Sequence, residues 1–297
     1  LKNYRRVYEL FGAEPNAGQT SIVMLLEHSV KQLLITGFSF YQQGDMPKQS
    51  HRPGHTQKGR ENTPCGNSSH RQDPQIKVFT QKTLKSLTLA RGGSKGIPRK
   101  NIISIDNKPL IYYTINNSRQ SGVDETWIST EDEEIKQVSL SLGAKVIDRP
   151  PEMSKDTSKC EEALIHFAKN INFDILVFMQ NTSPLVKAED IKLGISKVKS
   201  GEYDSVFSAY REHWLPRWTV NCKPIEWETN KRPRRQEISE VYVENGAFYI
   251  TTKKALVQTG LRYSGKIGVV EMPFSRSFQI DTLDEAELIS KIVSFNK

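Results

Sequence analysis

The sequence predicts an α/β fold: a mostly parallel sheet covered by helices on both faces. Two observations carry this. From Leu84 onward, short apolar runs alternate with amphipathic stretches of helical period. The first run leads directly into Leu89-Ala-Arg-Gly-Gly-Ser-Lys-Gly-Ile-Pro-Arg-Lys-Asn101, glycines interleaved with cations. An anion loop belongs at the carboxyl end of a strand in such a sheet.

Taken in order, residues 84–90 read as a strand because the run is apolar and ends at that loop. Residues 110–121 read as a helix stopped by Ser121-Gly122, and residues 125–129 as the second strand. Residues 131–142 are helical in period, 145–147 form a short strand, and 161–170 form a helix. The almost wholly apolar run 174–179 reads as a further strand, and helix 188–199 ends at Ser200-Gly201. Residues 204–208, 246–251 and 267–271 are further strands, and 283–293 is the closing helix. The segment 210–243 breaks the alternation. Its Trp214, Trp218 and Trp227 and its run Lys231-Arg-Pro-Arg-Arg235 mark an inserted arm.

Upstream, residues 47–75 contain no Leu, Ile, Val, Phe, Trp or Tyr. Such a stretch cannot bury enough apolar area to offset its ordering entropy, so residues 47–82 read as a linker between a segment 1–46 and a domain 83–297. His51, His55, Cys65 and His70 lie in it at spacings that match no zinc template. The chain begins at Leu1 without a methionine, as a fragment of something longer would.

Composition narrows the partners. The 297 residues carry 42 Lys and Arg against 34 Asp and Glu, a net charge of +8. This excess suits a polyanionic small molecule; the cations do not form one run with interleaved aromatics, which disfavours nucleic acid. Three widely spaced cysteines imply no disulfide framework and point to a reducing, cytoplasmic setting. No apolar span long enough for a membrane is present. The run 231–235 also reads as a nuclear localisation signal or a solvated charge run.

The glycine loop is neither a Walker A nor a dinucleotide fingerprint, because its spacing fits neither. Gly92, Gly93 and Gly96 let the backbone turn sharply and approach an anion, and Arg91, Lys95, Arg99 and Lys100 place charge beside it. Four further motifs follow in order: Asp148-Arg-Pro-Pro-Glu-Met-Ser-Lys-Asp-Thr157, Gln180-Asn-Thr-Ser-Pro-Leu185, Arg232-Pro-Arg-Arg-Gln236 with Asn245-Gly-Ala-Phe-Tyr-Ile250, and Phe278-Gln-Ile-Asp-Thr-Leu-Asp-Glu285. Asp281 stands at a helix start, where N–H groups keep a carboxylate ionised and fit to hold Mg²⁺.

These motifs resemble those of the acylneuraminate cytidylyltransferases, the CMP-sialic acid synthetases, whose loop reads L-A-R-x-x-S-K-G-I/L-P-x-K-N. The resemblance runs from about Lys85 to the C-terminus. It implies a three-layer, Rossmann-like nucleotidyltransferase fold with an inserted dimerisation arm, and the transfer of CMP from CTP to a sialic acid. It implies Arg91, Lys95 and Asp281 as catalytic residues, Asp281 holding Mg²⁺. For CTP it implies Ala90, Arg91, Ser94, Lys95, Lys100, Asn101, Arg149, Ser158 and Cys160, the last standing where a bacterial relative carries Ser. For the sugar acid it implies Gln180, Arg217, Arg234, Arg235, Gln236, Asn245, Tyr249 and Tyr263. Family members often read D-I-D-T where this chain has Gln279-Ile-Asp-Thr282, so one carboxylate is missing. The resemblance also implies a homodimer or homotetramer. Residues 12–80 are similar in part to the C-terminal part of a sialyltransferase, through Pro15-Asn-Ala-Gly18 and Leu33-Leu-Ile-Thr-Gly-Phe38. Open alternatives are a synthetase for another eight- or nine-carbon sugar acid (Kdo, legionaminate or pseudaminate type) and a remnant of a bifunctional sialyltransferase–synthetase.

Overall fold

The computed structural model describes residues 82–155, 157–212 and 216–295. The segment 1–46, nearly all of the linker 47–82 and the sialyltransferase-like motifs therefore lie outside the described residues, as do His213 and Trp214 of the arm.

Among the described residues, nine strands and six α-helices follow one another as β1 (Leu84–Leu89), β2 (Ser104–Ile105), β3 (Lys108–Pro109), α1 (Leu110–Gln120), β4 (Glu125–Thr130), α2 (Glu133–Ser141), β5 (Lys145–Asp148), α3 (Cys160–Asn170), β6 (Ile175–Met179), α4 (Ala188–Lys199), β7 (Ser205–Glu212), β8 (Val241–Thr252), α5 (Lys253–Thr259), β9 (Ile267–Glu271) and α6 (Leu283–Phe295). Seven strands form one sheet in the order β5-β4-β1-β6-β8-β7-β9. Only β8 runs antiparallel to its neighbours. The α/β expectation, with its mostly parallel sheet, holds.

The chain leaves β1 toward β4 and β5 on one side and returns to β6 on the other, so β1 and β6 flank a topological switch point. Residues of β6 alternate between two cores. Val177 and Met179 pack with Ile191, Ile195 and Val198 of α4. Leu176 and Phe178 pack with Leu164 and Phe167 of α3 and Leu256 of α5. A third cluster joins Ile111 and Ile115 of α1, Ile128 of β4 and Ile135 of α2. The sheet is thus the middle of three layers, and each fully buried Leu, Ile or Phe stabilises it by about 1.5–3 kcal/mol. Helix α4 lies so close to the sheet that a Cβ on Gly194 would stand 2.7 Å from Ile250 Cδ1.

Four differences from expectation have physical reasons. The hairpin β2–β3 was not expected, because two-residue strands leave no alternation to read; Asp106 and Asn107 make its turn, both at positive φ. Helix α5 is only 7 residues long, too short for a visible period. The arm is shorter than 210–243: Tyr210, Arg211 and Glu212 pair with Val243, Tyr242 and Val241, so both ends of that segment are sheet. Helix α6 is capped by Thr282, not Asp281. Thr282 Oγ1 accepts from Glu285 N at 3.3 Å, while the Glu285 carboxylate accepts from the N–H groups of Asp281 (2.7 Å) and Thr282 (2.8 Å). Those N–H bonds hold Glu285 below its ordinary pKa; the carboxylate stabilised by the helix start is Glu285.

Candidate nucleotide site

A cavity of about 400 Å³ opens at the carboxyl ends of β1, β5 and β6, at the switch point. Its floor includes Leu89, Phe178 and Met179 from the strand ends. The loop after β1 contributes Arg91, Ser94, Lys100 and Asn101, the segment after β5 contributes Arg149, Met153, Ser154, Lys155, Ser158 and Lys159, and the loop after β6 contributes Gln180, Asn181 and Thr182. Cys160 and Ala163 add the first turn of α3. Three segments separated by up to about ninety residues converge because each follows a parallel strand.

The cation loop is held by side-chain hydrogen bonds at several points. Asn101 Nδ2 donates to the carbonyl of Arg91 at 2.8 Å, and Asn181 Nδ2 donates to Asn101 Oδ1 at 3.0 Å. Arg99 sits at φ 55° and forks onto Asp132 at 2.6 and 2.9 Å. Asp132 in turn caps α2 by accepting from Ile135 N at 3.0 Å. Gly96 is required by close approach, since a Cβ there would lie 2.7 Å from the carbonyl oxygen of Asp281. The N–H of Gly92 donates to Glu131 at 2.8 Å and is therefore engaged within the protein rather than directed to an anion, as the glycine pattern had suggested.

On the opposite wall the Arg149 guanidinium is almost fully buried and pairs with Glu131 at 2.8 Å. Burial would raise the Glu131 pKa, but hydrogen bonds from Arg149, Ser154 and Gly92 outweigh it and hold the carboxyl below its ordinary value. Ser158 Oγ donates to the Glu152 carbonyl at 2.9 Å.

Most of the expected nucleotide residues are brought together: Arg91, Ser94, Lys100, Asn101, Arg149, Ser158, Cys160 and also Gln180 line the cavity. Ala90 is fully buried beneath the loop, its N–H donating to Ser129 at 3.0 Å. Lys95 is exposed on the same loop and is not among the lining residues. Asp281 is exposed beside the loop, its Oδ1 2.8 Å from Lys100 Nζ.

The expected sugar residues are dispersed. Asn245 is buried with its amide fully used: Oδ1 accepts from Ser208 Oγ (2.6 Å) and Ala247 N (3.2 Å), and Nδ2 donates to Ser277 Oγ (3.0 Å). Tyr249 is buried against Phe178, with ring centroids 5.7 Å apart, and donates to Glu244. Burial, then the Glu244 contact, raises its pKa. Tyr263 packs 5.9 Å from Tyr249. Arg217 pairs with Glu212 at 2.8 Å, and Arg234 with Glu237 at 3.7 Å, both on the exposed arm. Arg235 and Gln236 are exposed in the same arm. None of these seven lines the cavity of the single chain. Lys155, Lys159 and Glu131 were missed as site residues. The two lysines flank Ser158 and could have been read as a second cation set; Glu131 was hidden in an acidic run that reads as a helix start.

As a metal holder, Asp281 supplies one accessible carboxylate at the edge of the loop. Among the described residues no three His, Cys, Asp or Glu side chains converge. Gln279, which stands where a second carboxylate was expected to be absent, donates to the Asn245 carbonyl. This donor set fits a magnesium ion whose remaining ligands are phosphate oxygens and water, the common arrangement for that ion. No helix among the described residues is long and apolar enough to cross a membrane.

Comparison with known proteins agrees with this geometry. A profile described as Cytidylyltransferase matches residues 86–292. N-acylneuraminate cytidylyltransferase B of Danio rerio is 38% identical over 204 residues, 66% of this chain and 48% of the relative. N-acylneuraminate cytidylyltransferase of Streptococcus agalactiae is 30% identical over 205 residues, 66% of this chain and 50% of the relative. Pseudaminic acid cytidylyltransferase of Campylobacter jejuni is 32% identical over 219 residues, 70% of this chain and 94% of the relative. The chain spans about half the length of the N-acylneuraminate relatives it matches. Among solved structures, a CMP:2-keto-3-deoxy-manno-octonic acid synthetase complexed with CTP superposes with a TM-score of 0.56 at 17% identity, covering 72% of this chain and 100% of that one. With the profile spanning more than half of its residues, the chain belongs to the cytidylyltransferase family.

Proposed function

We propose that this chain transfers CMP from CTP to the anomeric hydroxyl of a sialic acid, releasing pyrophosphate. The observation that carries the reading is the convergence of the Arg91–Asn101 loop, the Arg149–Cys160 wall and Gln180 around one cavity. Arg91, Lys95 and Lys100 offset triphosphate charge, and charge stabilisation with positioning is the main contribution a protein makes to phosphoryl-type transfer. Arg149, Ser158 and Cys160 take the base and ribose. Gln180, which both donates and accepts, faces sugar hydroxyls or an acetamido group. The sugar hydroxyl oxygen attacks the α-phosphorus, the bond to the β-phosphate oxygen breaks, pyrophosphate leaves and the hydroxyl proton passes to water. Magnesium held by Asp281 would supply further neutralisation of phosphate charge.

The sugar carboxylate calls for an arginine fork. Arg217, Arg234, Arg235 and Gln236 lie on the arm, away from the lining of their own chain's cavity, so we place them in a neighbouring subunit's site. The arm supports this with exposed apolar side chains, Trp218 and Ile225 among them, which rarely stay uncovered. On this reading the protein is a homodimer or homotetramer, and Tyr249 and Tyr263 serve as packing beneath the site rather than as N-acyl contacts.

A second substrate reading, a pseudaminate-type nine-carbon acid, is favoured by the Campylobacter jejuni relative, 94% of which is covered. Pyrophosphate release from CTP, compared across N-acetylneuraminate, pseudaminate and Kdo, separates the two. Turnover confined to N-acetylneuraminate supports the first reading; turnover with pseudaminate alone replaces it.

A further inference from the structure

The peptide group between Arg91 and Gly92 is gripped at both ends. Asn101 Nδ2 donates to its carbonyl at 2.8 Å, and its N–H donates to Glu131 Oε1 at 2.8 Å. Glu131 follows β4, between the loop and the opposite wall. Its other oxygen, Oε2, accepts from Arg149 Nη2 at 2.8 Å and from Ser154 Oγ at 2.7 Å. Arg149 Nε donates to Ser154 Oγ at 2.8 Å, which closes a triangle. Arg149 and Ser154 line the cavity, whereas Glu131 is not among the lining residues.

We infer that Glu131 is a positioning residue for the nucleotide: it sets the spacing between the cation loop and the base wall by binding Gly92 and Arg149 with one carboxylate. This rests on the nucleotide reading above. The charge is necessary as well as the reach. The Arg149 side chain is 4% exposed, and a guanidinium at that depth requires a counter-charge, which Glu131, 19% exposed, provides. Three donors converge on Glu131, and a carboxylate accepts all of them. A glutamine offers one oxygen and turns an N–H₂ toward one of the donors. In Glu131→Gln the loop or the wall is therefore released, and which of Arg149's N–H groups face the cavity is no longer fixed.

The test uses the full chain and CTP as the probe. CTP affinity is measured by calorimetry, KM is measured separately for CTP and for the sugar acid, and folding is followed by circular dichroism. Glu131→Gln should weaken CTP binding about tenfold, the size of one lost charge-assisted hydrogen bond, with the KM of the sugar acid within twofold of wild type. A merely structural role lowers kcat through loss of active protein and leaves both KM values unchanged. Glu131→Asp, which keeps the charge for Arg149, should recover part of the CTP affinity. If Glu131→Gln does not fold, Ser154→Ala carries the test, with an expected threefold loss in CTP affinity. Unchanged CTP affinity in the folded variant overturns the inference. Wild-type protein that binds CTP but turns over no sialic acid refutes the proposed function alone and leaves the binding comparison to decide on Glu131; wild type that does not bind CTP refutes both.

Discussion

Lys100 Nζ lies 2.8 Å from Asp281 Oδ1, joining residues 181 positions apart. The same ammonium donates to the Ile280 carbonyl at 3.2 Å, and Gly96 abuts the Asp281 carbonyl. The cation loop and the entry of α6 thus form one edge of the candidate site.

That relationship makes Asp281→Asn informative. The substitution removes the exposed Asp281 carboxylate while preserving shape, and a neutral amide is a poor magnesium ligand. The Mg²⁺ concentration giving half-maximal rate should rise at least tenfold. An unchanged Mg²⁺ titration would remove Asp281 from the metal assignment.

Arg91→Ala and Lys95→Ala probe the loop itself. Each removes charge placed for the triphosphate, and the expected loss is about 10²-fold in kcat, comparable to losing one preorganised donor. Circular dichroism should not change, because both side chains lie at the surface of the loop rather than in the core. Near-normal kcat in both would show the phosphates bind elsewhere.

Much of the fold was legible because parallel strands buried on both faces read as continuous apolar runs, as Ile175–Met179 does. The loop and its neighbours were legible because glycine and cation types are dictated locally by close approach and charge. Glu131 was not legible: its role depends on reaching back 39 residues to Gly92, and no spacing encodes that. The start of β8 at Val241 was concealed by the charged arm before it, since its partner is the distant end of β7. The arm arginines are named through the family resemblance, and a single chain does not bring them to its own cavity.

Packing yields a stability prediction. A Cβ on Gly194 would meet Ile250, Phe248 and Val270. Gly194→Val should therefore lower stability by about 1–3 kcal/mol through overpacking, read as a lower urea midpoint. A midpoint equal to wild type would mean α4 shifts away without cost.

Acid should weaken the far end of the sheet through Glu125. Hydrogen bonds from Lys145, then Lys85, hold its carboxyl at about 2, against an ordinary 4.5. A depressed folded pKa contributes stability that is complete above the unfolded value and is lost as pH falls toward the folded one. Wild type should therefore lose thermal stability between about pH 4.5 and 2 more steeply than Glu125→Gln. Parallel Tm-against-pH curves would contradict this assignment.

On the proposed function, CTP and a sialic acid meet in the β1–β6 cavity and react there. Pyrophosphate release from CTP, measured on the full chain with Mg²⁺ and N-acetylneuraminate, Kdo or no sugar acid, tests it most directly. Release is expected with N-acetylneuraminate, at a rate at least tenfold lower with Kdo, and not at all without a sugar acid. Release that is equal in all three arms, or absent in all three, would contradict it.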